Sequence, residues 1–277
     1  MVKRMSVLSI AVSALIFSNA GWAKGPNDVT IALEGAYAPW NMTNTDGTLG
    51  GFEPGLMKEL CLRAGLKCTL KAVDWDGMIP GLNAGKFDVI MDAMSITEQR
   101  RNAIDFSKPY AETKSRFVAL SDDKAEEQAA DIVLHVDEDA LVKLNAVRTM
   151  LKGKTIGIQT ATHYDPFTRK NFSDISDVRD YKTAQQRDID LLNGRIDYII
   201  DNTVYLTNAM AAEPGKMKYV GPEISGSIWG DGIGLGIRKS DTALRDKFDK
   251  AIGAVISDGT LKKLSMEYLK TDVTPNP

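Results

Sequence analysis

The stretch VDWDGMIPGLNAGKFDVIMDAMSITEQR, Val73–Arg100, decides the fold. It opens where a strand pattern over Cys68–Val73 ends. A helical pattern covers Gly77–Asn83, and an apolar run over Phe87–Met91 reads as a second strand. The turn Ser95–Thr97 follows, and Thr97 is placed to cap a short helix over Thr97–Ala103 that carries Arg100. Strand, helix, strand and helix thus alternate within a few dozen residues. Working outward, the alternation continues. Strand patterns cover Val29–Leu33, Arg116–Leu120, Thr155–Ile158, Tyr198–Ile200 and Ile233–Ile237. Helical patterns cover Pro54–Ala64, Asp137–Leu151, His163–Asn171, Thr183–Asn193, Asn202–Ala211 and Thr242–Ser257. Thr183 followed by Gln186 has the spacing of a capping box. The alternation predicts an α/β protein with largely parallel sheets.

Composition narrows the function. The 277 residues are 43% hydrophobic and 26% charged, an ordinary globular balance. Lys and Arg number 34 against 37 Asp and Glu, so no basic excess exists to neutralise a phosphate backbone, and nucleic acid is not an expected partner. The two histidines, His135 and His163, lie far apart with no cysteine near them, so neither a zinc site nor another cofactor is expected.

Lys3 and Arg4 precede an apolar run from Met5 to Phe17, and Gly21 and Ala23 supply small residues before a cut. Residues 1–23 therefore read as a cleaved secretory signal peptide. The run is shorter than the ~20 residues that span a bilayer. An exported chain meets an oxidising compartment, and Cys61 and Cys68 are its two cysteines. The loop Gly65–Lys67 lets the strand start fold back beside the helix end, within disulfide reach. The alternative is a pair of buried thiols.

Two segments stand apart. Ser121–Glu138 is rich in acids and alanine and poor in large apolar residues until Ile132–Leu134, so it reads as an exposed insertion. GSIWGDGIGLG, Gly226–Gly236, reads as a flexible connection entering a strand. A glycine loop that cradles phosphate follows a strand and opens a helix, which is the reverse order.

Four segments, EGAYAPWN (Glu34–Asn41), GFEPGLMKELC (Gly51–Cys61), Val73–Arg100 and GRIDYIIDN (Gly194–Asn202), coincide in order and spacing. Together they resemble the periplasmic polar amino-acid-binding proteins of ABC importers. That family includes lysine/arginine/ornithine-, histidine-, octopine- and nopaline-binding proteins. DGTLKKLSMEYL, Asp258–Leu269, fits the same pattern. The resemblance implies a type II periplasmic-binding-protein fold, with two lobes, a ligand cleft and a two-strand hinge. Lobe 1 would comprise 24–115 plus 233–277, and lobe 2 would comprise 116–232. Lobes of this kind close around a ligand.

The resemblance also implies site residues. Arg100 would hold the ligand α-carboxylate as a bidentate pair. Ser95 would touch the α-amino and carboxylate groups, and Ala93 would offer its backbone carbonyl. Thr162 would give its backbone N–H to the same carboxylate at a helix start, with Gln159 beside it. Tyr37 and Trp75 would sandwich the aliphatic stem. Trp40 reads as core. Glu34 would meet a cationic end. Asp92 replaces a small residue beside it, and two adjacent carboxylates favour a compensating cation. The alternative for Asp92 is a strand-end side chain bonded to backbone N–H groups. Asn202 stands where plain amino-acid binders place an aspartate for the α-ammonium, and opine binders depart at the same place. Asp201 is the neighbour able to take over.

The function implied is a monomeric receptor that passes a cationic amino acid or its opine conjugate to an inner-membrane permease. The alternatives are a cleft enzyme of the cyclohexadienyl dehydratase type and a soluble receptor serving a separate sensor. A dehydratase needs a placed general acid, for which Glu34 or Asp92 would serve.

Overall fold

The computed structural model describes residues 25–128, 131–136 and 140–275. The leader read at 1–23 lies outside the described residues. Two large sheets organise the chain, beside a small one of Ala36–Tyr37, Asn41–Thr43 and Leu49–Gly50. The first runs Lys67–Ala72, Asp28–Leu33, Val89–Ile90, Gly236–Ile237, Asp105–Phe106 across its width. The second runs Asp177–Tyr181, Thr155–Gln159, Tyr198–Asn202, Ser115–Leu120, Met217–Ser225, Ile132–Val133.

Both of these sheets are mixed, where the sequence expectation was of largely parallel sheets. Asp28–Leu33 pairs in parallel with both its neighbours, but Gly236–Ile237 runs antiparallel to Val89–Ile90 and Asp105–Phe106. Ser115–Leu120 likewise runs antiparallel to Tyr198–Asn202 and Met217–Ser225. A buried strand is an apolar run whatever its direction, so strand patterning alone does not encode polarity. The two exceptional strands are those at which the chain leaves the first sheet and re-enters it.

Of the strands that escaped the reading, the two longest did so for clear reasons. Asp177–Tyr181, DVRDY, is a charged and mostly exposed edge. Met217–Ser225 contains Gly221 and Pro222, which argue against a strand, and its register shifts between Val220 and Ile224. The carboxy-terminal helix Thr260–Tyr268 was legible only as a family pattern. The long helix expected over Asp137–Leu151 is confined to Asn145–Leu151 among the described residues.

The helix Phe52–Ala64 buries Phe52, Leu56, Met57 and Leu60 at helical spacing and ends on Gly65 in the left-handed region. Gly51 enters it at φ +108, where a Cβ would lie 2.7 Å from the Trp40 carbonyl oxygen. This close approach seats the helix start against the backbone of Pro39, Trp40 and Asn41. Cys61 and Cys68 form a disulfide with Cα atoms 6.2 Å apart. Each sheet has its own core. One gathers Ile31, Trp40, Phe52, Phe248 and Ile252, and the other gathers Phe117, Ile158, Phe172, Val220 and Trp229.

The two segments set apart in the sequence are more ordered than they read. Gly226–Gly236 is not slack. Ile96 N–H donates to Gly232 O at 2.8 Å, Asp231 N–H donates to Ile96 O at 2.9 Å, and Trp229 is buried. Its glycines permit close backbone approach; a Cβ on Gly230 would sit 2.4 Å from Ile96 O. In Ser121–Glu138, Ile132–Val133 forms an edge strand and Leu134 is fully buried. No described helix is long and apolar enough to cross a membrane.

Candidate ligand-binding cleft

A cavity of about 780 Å³ lies between the two sheets, within the ~300–1,000 Å³ typical of small-molecule sites. Glu34, Tyr37, Trp75, Asp92, Ala93, Ser95, Arg100, Gln159, Thr162 and Asn202 all line it. The fold therefore brings together every residue singled out in the sequence. Trp40, read as core, is fully buried and does not line it.

Arg100 is 8% exposed. Thr97 caps its short helix by accepting Arg100 N–H, which aims the side chain inward. The guanidinium donates to Ser95 O at 3.0 Å and to Ala161 O at 3.2 Å, so it touches both halves of the chain. It lies 5.2 Å from the Trp75 ring centroid, a cation–π distance. Among the described residues no carboxylate lies within ion-pair distance of it. Burial lowers its pKa to about 10, so it remains a cation at neutral pH. Ser95 is buried beside it and pairs with Ile233.

Thr162 precedes the helix Tyr164–Phe172 rather than beginning it, and His163 takes the cap position. Thr162 Oγ1 donates to Gln159 O at 2.7 Å, which folds the strand end into the turn. Gln159 Nε2 donates to Glu34 Oε1 at 3.2 Å and joins the two walls.

Glu34 forms no ion pair among the described residues. Burial raises its pKa from 4.5 to about 7; the Gln159 bond opposes this, and the charges of Asp74, Asp201 and Asp76 reinforce it. This end of the cleft therefore carries an uncompensated carboxylate.

Asp92 is hydrogen-bonded within the protein. Its Oδ1 accepts Glu34 N–H at 3.1 Å and Asn41 Nδ2 at 2.6 Å. Its hydrogen bonds match the strand-end alternative. Burial, then Glu53 and Glu34, pushes its pKa well above the carboxylate range. Ala93 adopts φ +43, a conformation that non-glycine residues seldom take, and its N–H donates to Glu53 Oε1 at 2.7 Å.

Tyr37 lines the cleft but stacks on Tyr205, with ring centroids 4.5 Å apart. Its hydroxyl donates to Asp201 Oδ1 and accepts Asn202 Nδ2 at 2.6 Å. Asn202 caps the helix Thr203–Ala212, accepting Tyr205 N–H at 2.9 Å and Trp40 Nε1 at 3.3 Å. Asp201 Oδ2 pairs with buried Arg187 at 2.8 Å. Neither Asn202 nor Asp201 thus offers a free negative charge.

The sequence reading missed Lys114, Ser115, His163, Tyr164 and Trp229, which also line the cleft. Ser115 Oγ and Tyr164 OH lie 2.9 Å apart. His163 packs its ring 4.1 Å from Tyr164 and 5.2 Å from Trp229. Burial, then Arg100, lowers its pKa to about 3, so it is neutral. His163 and Tyr164 directly follow Thr162, and that adjacency was the available signal. Trp229 carried no such mark.

A cleft between two sheets, lined by a buried cation and by a carboxylate that both lack an ion-pair partner among the described residues, is a solute-binding architecture. Residues 29–271 match the model of the bacterial extracellular solute-binding proteins, family 3, and the chain belongs to that family. It is 38% identical to the octopine-binding periplasmic protein of Rhizobium meliloti, over 98% of this chain and 100% of the relative. It is 30% identical to the L-arginine-binding protein of Pseudomonas aeruginosa, over 88% and 89% respectively. Among solved structures, a periplasmic His/Glu/Gln/Arg/opine family-binding protein from Silicibacter pomeroyi in complex with lysine is similar. The TM-score is 0.75 at 32% identity, covering 90% of this chain and 100% of that one. These relatives are binding proteins, and the chain is a solute-binding receptor of their type.

Proposed function

We propose that this receptor captures an arginine-derived ligand in the periplasm, an opine of the octopine type in preference to free arginine, and delivers it to an ABC permease. One observation carries the reading. The cleft sets Arg100, a buried cation with no carboxylate partner, against Glu34, a carboxylate with no cation partner. A ligand with a carboxylate at one end and a guanidinium at the other supplies both missing charges. Trp75 and Tyr37 flank the apolar stem between them.

The lean towards an opine rests on Asn202 and Asp201. A free α-ammonium is best held by a carboxylate, yet Asn202 is an amide and Asp201 is neutralised by Arg187. In an opine the α-nitrogen carries a second, carboxylate-bearing arm that compensates its charge internally. The likeness to the octopine-binding relative supports the same choice.

In this reading residues 1–23 are a leader removed on export. Lobe 1 comprises 24–115 with 233–277, lobe 2 comprises 116–232, and a single chain suffices. The Ala111–Ile233 bridge at the junction supports these boundaries. The test is calorimetric titration of the mature protein with octopine, nopaline, L-arginine, L-ornithine, L-lysine and L-glutamate. Octopine binding tighter than L-arginine supports the reading. Binding of L-glutamate above the cationic ligands, or of none of them, overturns it.

A further inference from the structure

Two carboxylates, Asp92 and Glu53, share one amide. Asn41 Nδ2 donates to Asp92 Oδ1 and to Glu53 Oε2, each at 2.6 Å. Glu53 is fully buried and Asp92 is 3% exposed. No lysine, arginine or histidine lies within ion-pair distance of either among the described residues. The groups facing them are Glu34 from the first strand's end, Tyr110, and Arg100, whose guanidinium is bonded to carbonyls. Two charges cannot both be held in such a site, because desolvation and mutual repulsion oppose the second.

The hydrogen bonds decide which group keeps the charge. Glu53 accepts three donors: Ala93 N–H, the Tyr110 hydroxyl and Asn41 Nδ2. A carboxylate with three donors is stabilised in its charged form. Asp92 accepts only on Oδ1, from Glu34 N–H and Asn41. Its Oδ2 is buried with no partner among the described residues, and the side chain lines the cleft. A proton on Oδ2 removes the second charge of the pair without displacing any hydrogen bond that Asp92 makes.

We propose that Asp92 stands in the cleft wall as a neutral carboxylic acid, while Glu53 holds the negative charge of the pair. Glu34 is then the anionic side chain that reads the ligand's cationic end. The selectivity consequence rests on the arginine-type reading above; the protonation of Asp92 does not.

Infrared difference spectroscopy of the mature protein without ligand tests the protonation directly. At a pH well above 7, where Glu34 is ionised, the wild type shows the C=O stretch of a protonated carboxyl group, and Asp92→Asn removes it. A spectrum from which Asp92→Asn removes no such band overturns the proposal, as does a band that disappears only in Glu53→Gln. Calorimetry with L-arginine and its uncharged isostere citrulline tests the selectivity. Asp92→Asn shifts the ratio of their affinities by less than about threefold, whereas Glu34→Gln collapses it by about tenfold or more. A collapse of the ratio in Asp92→Asn means that Asp92 reads the cation as a carboxylate. If wild type binds neither probe, the arginine-type reading fails while the spectrum still decides the proton.

Discussion

Arg187 and Asp201 form a buried ion pair of 2.8 Å at the cleft wall, which Asp201 lines. Both side chains are almost wholly buried, and Arg187 also meets Asp188 at 2.9 Å. Burial alone would lower the arginine pKa, yet the two carboxylates hold it well above its ordinary value. The pair fixes the strand end that carries Asn202 and removes Asp201 as a counter-charge for a ligand ammonium. Removing one partner of such a pair leaves an unpaired buried charge, which costs roughly 3–5 kcal/mol. Arg187→Met should therefore lower the unfolding free energy by about that amount in a urea titration. A loss under about 1 kcal/mol would show that the pair contributes no more than a surface contact.

Arg100→Ala should weaken ligand binding at least tenfold, because truncating one partner of a desolvated charge pair costs about 2–5 kcal/mol. Its hydrogen bonds in the free protein go to two carbonyls, so the mutant should fold. Calorimetry and thermal melting separate the two effects. Wild-type affinity in the mutant removes Arg100 from the site.

Glu34 gives a pH signature. Its pKa of about 7 in the folded, ligand-free protein lies above its ordinary 4.5. Between these values the folded state binds more protons than the unfolded chain. The stabilisation is fully present below pH 4.5 and is lost as pH rises through about 7. A ligand cation has the opposite preference and favours the ionised form. Affinity for L-arginine should therefore fall as pH drops below about 7, with a slope approaching one decade per unit. Glu34→Gln should bind weakly with no such slope and should melt higher than wild type at pH 8 when ligand-free. A pH-independent wild-type affinity between pH 5 and 8 contradicts the role given to Glu34.

Asn202→Asp should shift preference from octopine towards free arginine, since the new charge favours an ammonium and opposes the second carboxylate. The substitution keeps an oxygen to accept Tyr205 N–H but loses the amide that donates to the Tyr37 hydroxyl. It also places a second carboxylate beside Asp201. Stability should fall by about 1–3 kcal/mol alongside the change in preference. Equal weakening of both ligands would remove Asn202 from the choice between them.

Much of this protein was determined by sequence alone. Strand and helix alternation set the α/β class, because buried strands and amphipathic helices have distinct periods. The helix ends at Thr97, Thr183 and Gly65 were legible because capping is local chemistry. The Cys61–Cys68 bond followed from a short connection between adjacent elements. The ten candidate residues reached one cleft because they lie at strand ends or in the turns and short helices that follow them.

What only the tertiary structure decided concerns distance and direction. The antiparallel polarity of Ser115–Leu120 and Gly236–Ile237 depends on how the chain crosses between sheets, which no local period records. Asp92 reads in the sequence either as a cation site or as a bonded strand-end side chain, and only the tertiary structure places Asn41 and Glu53, far away in sequence, against it. Asp201 reads as a free carboxylate until Arg187 is brought to 2.8 Å. A charge is a property of its residue, but its availability to a ligand is set by the partners that the fold packs around it.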